Sequence, residues 1–321
     1  MDELREQLRT IIRAETGALR NLPVIAAICC WVAAVLFVKY FSMLMDVHTQ
    51  NFFRYLGASL FLSSVVSLVY PGCFRRFRQR FRVYLMLGAM MTSFQLCWVH
   101  ALYRVDPAFV SLLSKVSTPL ITMAAFVFYH EERAVIRSPR FLLGFTMGLV
   151  GVVGVVAGIS NFEVGLLYPQ KAGIVLIIAG ALIWSVYVNV VKHVVREENP
   201  LLAFTFTCIS ATAILFPIML IWGEPQVLIG GPVRIMVLVV ISGIIGLAGA
   251  NSSYFLSIKR IGLAASANLV LANPFLAALA SYLIFGERLT AVQWVFGIIL
   301  LAGCALVISV RTVGPGEAER L

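Results

Sequence analysis

The chain has 321 residues, of which 60% are hydrophobic and only 12% charged, and its formal net charge is +10. A soluble domain carries about a quarter charged residues, so this composition excludes an ordinary soluble globular protein. The basic excess does not indicate nucleic acid either. Lys and Arg sit in short links between apolar blocks, and the densest run, FRRFRQRFR at 74–82, is wedged between two of them, the pattern of a juxtamembrane loop beside anionic lipid.

Residues 1–21 mix acids and bases, with Leu4, Leu8, Ile11 and Ile12 on one helical face. This predicts a cytoplasmic amphipathic segment lying on the membrane. No cleaved signal is expected, because the apolar run that follows is too long and lacks a small-residue cleavage site. Apolar blocks of about 20 residues, the length that crosses a bilayer core, then predict ten spans. They are 22–44, 50–69, 82–103, 106–128, 140–160, 171–192, 200–222, 233–257, 262–285 and 291–310. Pro, Gly or charge marks most of the links. The predicted fold class is an all-α polytopic membrane protein, closed by a tail at 311–321.

Basic residues in alternate links orient these spans. Eighteen lie on one side: Arg5, Arg9, Arg13 and Arg20; Arg75, Arg76, Arg78, Arg80 and Arg82; Arg133, Arg137 and Arg140; Lys192 and Arg196; Lys259 and Arg260; Arg311 and Arg320. Four, Arg104, Lys171, Arg234 and Arg288, lie on the other. The positive-inside rule then places both termini in the cytoplasm. The six cysteines form no CxxC pair and most lie in apolar segments, so free thiols are expected, with no disulfide framework, metal site or cofactor.

The third and fourth spans lie on the eighth and ninth at a constant offset of 155, which pairs Ser111 with Ser266, Pro119 with Pro274, Glu132 with Glu287 and Arg133 with Arg288. At an offset of 153, WVAAVLFVK (31–39) falls on WSVYVNVVK (184–192). These matches predict two five-helix repeats, 22–160 and 171–310. An odd number of helices per repeat inverts the second, an architecture of many secondary transporters.

The Trp31…Lys39 pair, Arg54 in FFRYLGASLF and the Pro…Glu-Arg signature closing the fourth and ninth spans resemble the drug/metabolite transporter superfamily, specifically its ten-helix EamA-type members. The resemblance covers residues 22–310 and implies a carrier. It does not fix the solute, since members carry amino acids, nucleotide sugars, phosphorylated sugars, amines and drugs. Lys115 departs from the common small, apolar pattern of this stretch. It resembles instead the plastid triose-phosphate translocators, which place a Lys four residues before the fourth-span proline, where it helps bind phosphate. Their further Lys-Arg pair in the ninth span has no counterpart in NLVLANP (268–274), which speaks against a doubly charged phosphate ester and leaves a singly charged group.

Three basic residues fall within predicted spans: Lys39, Arg54 and Lys115. Lys39 and, on the inner side, Lys192 are close enough to a span end to snorkel. Arg54 is near the outer end and is expected to tie helices together through backbone carbonyls, or to meet solute as an accessory charge. Lys115 lies about 3 Å from the span's midpoint, where a charge costs about 2.5–3.5 kcal/mol on insertion scales. Pro119 lacks the N–H that would bond the carbonyl of residue 115, and Ser111, Ser114 and Thr118 lie within one turn. Lys115 is either neutral, or bonded to loosened carbonyls such as those around the helix break at Pro274, or a cation facing an anionic solute.

Further candidates for solute contact are Gln95, Trp98 and His100 in the third span and Trp184, Tyr187 and Asn189 in the sixth. Asn251 and Tyr254 in the eighth and Asn268 and Asn273 in the ninth complete the set. Each could equally be interhelical glue. Gly144, Gly148, Gly151 and Gly154 read as a close-packing face. No GxSxG turn, aspartate pair or HExxH occurs in a span, so no enzyme is expected. The expectation is a secondary carrier in a bacterial inner membrane for a small carboxylate-bearing or similar anionic solute, amino acids included. It would be an exchanger or facilitator, or secondarily proton-coupled through His100. The alternatives are a flippase for an anionic lipid and an exporter of amphipathic drugs.

Overall fold

The computed structural model describes residues 20–104, 110, 113–157, 168–277, 279 and 290–310. The surface segment expected before residue 20, Ser111, the Glu287–Arg288 pair and the tail lie outside the described residues. Among those described, every regular element is a helix, the arrangement that satisfies backbone polar groups within one segment when no water is at hand. In chain order they are α1 (Leu22–Phe41), α2 (Val47–Val69), α3 (Phe74–Gln79), α4 (Phe81–Leu102), α5 (Ser117–Phe128), α6 (His130–Ile136), α7 (Pro139–Ala157) and α8 (Tyr168–Glu197). They continue with α9 (Pro200–Trp222), α10 (Gln226–Ile229), α11 (Val233–Gly243), α12 (Ala250–Ile261), α13 (Leu263–Leu269) and α14 (Ala291–Ser309). A π-helical stretch, Ile244–Gly249, joins α11 to α12, and 3₁₀ turns at Ser114–Val116 and Val270–Ala272 precede α5 and follow α13.

Local chemistry explains where these helices start. α1 and α9 open on Pro23 and Pro200, where a missing N–H costs nothing. Asp46 caps α2 by accepting from the N–H groups of His48 and Thr49. Thr290 and Gln293 form a capping box at α14.

Seven described helical units are long and apolar enough to cross a bilayer: α1, α2, α4, α8, α9, the α11–α12 unit and α14. α6 and α7 make an eighth if they count as one span across their 76° bend. Within the described residues, the predicted fourth and ninth spans are represented by apolar helices at 114–128 and 263–277, each with a 3₁₀ turn just before its proline. Large apolar side chains such as Leu68, Phe128 and Val233 point outward, as lipid-facing residues do. The chain is an integral, multi-pass membrane protein.

Packing runs between the two halves. α7 lies along α14, α8 along α4, α9 against α2 and α4, and α12 against α1. The glycine face of α7 is a close-packing surface, as its spacing predicts. A Cβ on Gly144 would stand 2.6 Å from the Gly303 carbonyl oxygen, and one on Gly151 2.6 Å from Leu300 Cβ. The first helix stops at Phe41, three residues before its predicted end, and α8 runs on to Glu197. Lys192 is therefore inside a continuous helix, before its end at Glu197.

Candidate functional site

Helices from both halves enclose a cavity of about 120 Å³. A single water needs about 10–15 Å³ by this measure, so there is room for a solute of about ten non-hydrogen atoms. α1 presents Trp31, α2 Arg54, α4 Gln95 and Trp98, the 3₁₀ turn Ser114 and Lys115, and α5 Thr118. Trp184 comes from α8, Asn251 and Tyr254 from α12, and Asn273 from beyond α13. The cavity sits away from the face that carries the 74–82 loop: on α1 it begins at Trp31, midway along, and on α4 it spans Met91 to Leu102, the far half.

Two features give this cavity its chemistry. The first is an aromatic wall. Trp31 meets Trp184 edge to face at 6.0 Å between ring centroids and Tyr254 at 5.1 Å, and Trp184 packs on Phe94 at 4.7 Å and stacks with Tyr254 at 6.0 Å. Trp31 and Trp184 are equivalent positions of the repeat at offset 153, so the repeat's own counterparts meet here.

The second feature is charge. Lys115 and Arg54 both line the cavity, and among the described residues no carboxylate lines it with them. Lys115 sits within the 3₁₀ turn Ser114–Val116, and Pro119 one turn on has no N–H to offer its carbonyl, which the Ser117 N–H meets instead. The same device recurs in the other half, where Val270–Ala272 is 3₁₀ ahead of Pro274. No hydrogen-bond partner is found for the Lys115 ammonium among the described residues, while Ser114 and Thr118 border the same space.

Arg54 differs from its expected role. Its Nε donates to Ser242 Oγ at 3.2 Å, a side-chain hydroxyl of α11 and not a backbone carbonyl. The π-helical stretch beside it supplies no acceptor to Nη1, which has none among the described residues.

Other expected contacts fall elsewhere. His100 is outside the cavity, packed on His48 at 5.1 Å with Arg104 Nη1 3.0 Å from its Nδ1. Tyr187 lies in the core against Trp184 and Phe255. Asn189 accepts Tyr129 Oη on its backbone carbonyl at 2.5 Å and borders a separate outer hollow of about 650 Å³ between α5 and α8. Asn268 is fully buried beneath Gly148, off the cavity. Lys39 is exposed, consistent with snorkelling. Phe94 and Ser117, which line the cavity, escaped the sequence reading. Their helical spacing, Phe94 four residues before Trp98 and Ser117 three after Ser114, was the available signal.

Both ends of the bundle are held by polar contacts. At the basic face Lys192 does not snorkel. It is buried in an ion pair with Glu132, with Glu131 at 3.3 Å, under the Tyr129 ring. Glu132 also accepts the N–H groups of Leu263 at 2.7 Å and Ala264 at 3.3 Å. At the opposite face Asp46 accepts the Glu224 N–H at 2.9 Å. Burial pushes the Asp46 carboxyl up, but hydrogen bonds from Thr49, Glu224 and His48 outweigh it and hold the group below its ordinary value.

A polytopic helical bundle whose two halves close around one polar, aromatic-walled cavity is the architecture of a membrane transporter. The EamA-like transporter family matches twice, at residues 21–157 and 171–309. The chain belongs to that family, one match to each half. An uncharacterized transporter of Haemophilus influenzae is 24% identical over 286 residues, covering 84% of this chain and 90% of the relative. A crystal structure superposes with a TM-score of 0.73 at 18% identity, over 90% of this chain and 96% of its own, a likeness of fold.

Proposed function

We propose that this transporter is a secondary carrier of a small solute bearing a carboxylate or similar anion, amino acids included, with Lys115 as its anchor. The observation that carries this reading is Lys115 bordering a cavity that, among the described residues, no carboxylate lines. A half-buried ammonium away from any counter-ion among the described residues is costly, and an arriving anion offsets the cost. Ser114 and Thr118 offer hydroxyls beside it, and the wall of Trp31, Phe94, Trp184 and Tyr254 suits a flat or apolar body. Gln95, Asn251 and Asn273 supply amide groups.

The carrier has ten spans, arranged as inverted repeats at 22–160 and 171–310, with both termini in the cytoplasm of a bacterium and the chain in its inner membrane. The basic bias of alternate links supports that orientation. Alternating access rocks one repeat against the other, and the cavity's place away from the basic face fits the outward-facing half of that cycle. Exchange or facilitated passage is the simplest coupling, because His100 is held by Arg104 outside the cavity. A flippase is less well supported. Among the described residues, the outer hollow between α5 and α8 shares no lining residue with the Lys115 cavity.

The test is counterflow in proteoliposomes. Wild type should exchange labelled short carboxylates and amino acids, and Lys115→Gln should lose that exchange. Equal exchange by both proteins would remove Lys115 from the mechanism.

A further inference from the structure

Lys115 is not the only cation at the cavity. Arg54 is 1% exposed, the largest fully buried side chain among the described residues, and its guanidinium is always charged. A buried charge without a counter-ion is among the most costly features a fold can carry. Here the bonding falls well short of five N–H donors: Nε reaches one serine hydroxyl and Nη1 reaches nothing among the described residues. Tyr55 and Ser242 are neutral, and no acidic side chain lines the cavity that Arg54 borders.

The backbone around Arg54 is shaped to hold it there. α11 breaks into the π-helical stretch Ile244–Gly249 directly opposite, and π-bulges are frequent at functional sites. A Cβ on Gly246 would stand 3.2 Å from Arg54 Nη2, and one on Gly243 would overlap the Arg54 carbonyl oxygen. Two glycines and an irregular helix thus make room for a charged group that nothing in the described protein neutralises. A purely structural arginine would have its donors filled by the carbonyls that a π-helix loosens, and this one does not.

We propose that Arg54 forms a second anion subsite in the same cavity as Lys115, taking a carboxylate or a small inorganic anion. This rests on the reading of Lys115 as the first anion anchor and extends it: the preferred solute carries two anionic groups, or a monoanionic solute enters together with a separate ion. Arg54 comes from α2 and Lys115 from the turn before α5, and a solute that meets both cations is selected by its chain length as well as its charge.

The experiment measures apparent Kd by thermal shift in chloride-free buffer on detergent-purified full-length protein. The dicarboxylates succinate, glutarate and adipate are compared with butyrate, pentanoate and hexanoate. One dicarboxylate is expected to bind wild type about tenfold or more tighter than its monocarboxylate partner, the gain of one charge-assisted contact. Arg54→Gln should erase that excess and leave the monocarboxylate response in place. Chloride that strengthens monocarboxylate binding in wild type, but not in Arg54→Gln, also supports the subsite and makes a separate ion its occupant. Equal binding of both series with no chloride effect overturns the subsite while leaving Lys115 as anchor. No binding of either series overturns both readings. The wild-type comparison stands without a variant, and Arg54→Lys, which keeps the charge, covers the case in which Arg54→Gln does not fold.

Discussion

The Glu132 carboxylate and the Lys192 ammonium form an ion pair in which both side chains are buried, joining the short helix after the predicted fourth span to α8. The same carboxylate takes the first N–H groups of α13, so one side chain holds three elements from both halves together at the basic face. Replacing Glu132 by Gln strands the ammonium, and breaking a buried pair costs about 3–5 kcal/mol. Glu131 remains at 3.3 Å from Lys192, so the lower end, about 3 kcal/mol, is expected. A fall in thermal midpoint that Glu132→Gln combined with Lys192→Met partly reverses is the expected result; an unchanged midpoint in the single variant counts against the pair.

Gly262 stands against this carboxylate with φ +88°, and an added Cβ would lie 2.8 Å from Glu132 Oε1. Gly72 has φ +76° with nothing within 4 Å of an added Cβ. Positive-φ strain costs about 1–3 kcal/mol at a non-glycine residue. Gly262→Ala should therefore lower the midpoint more than Gly72→Ala does. Equal effects would mean that the contact with Glu132 contributes nothing.

The α7–α14 seam leaves no space at Gly151, where a Cβ would be 2.6 Å from Leu300 Cβ and 2.9 Å from its backbone. Overpacking of this kind costs about 1–3 kcal/mol. Gly151→Ala should destabilise in a thermal melt, and Gly151→Ala combined with Leu300→Ala should recover only part, because backbone atoms also obstruct.

Asp46 links the cap of α2 to the start of the segment after α9. Its pKa is held below the ordinary value of 3.8, so its contribution is present above that value and is lost as pH falls through the depressed pKa. Thermal midpoints measured from pH 5 downward should therefore drop more steeply in wild type than in Asp46→Asn, which keeps the cap acceptor without titrating. Parallel curves would show that Asp46 is not part of the acid limb.

Seven of the predicted membrane spans were legible in the sequence because hydropathy and length impose them directly, and the 3₁₀ breaks within the fourth and ninth fall just before Pro119 and Pro274. Which polar residues meet was less so. Gln95, Trp98 and Leu102 share one face of α4, whereas His100, two residues past Trp98, turns well away from it, a distinction visible in the helical period once Trp98 is placed. The same spacing removes Asn189 from the face of Trp184. The Glu132–Lys192 pair was not legible, because both residues lie near predicted span ends where snorkelling is the default. Only the turn at Tyr129 and the continuation of α8 to Glu197 bring them together under the Tyr129 ring.

The most direct test of the account compares three solutes with one aromatic body and different charge: 3-phenylpropionate, phenylalanine and phenethylamine. Thermal shift is measured on wild type and on Lys115→Gln. Saturation at 100 times Kd stabilises by about 2.7 kcal/mol, enough to resolve. The account predicts that the two carboxylate-bearing solutes protect wild type, that phenethylamine does not, and that Lys115→Gln loses the protection while folding as well as wild type. Equal protection of both proteins by phenethylamine, or carboxylate protection that survives in Lys115→Gln, would contradict it.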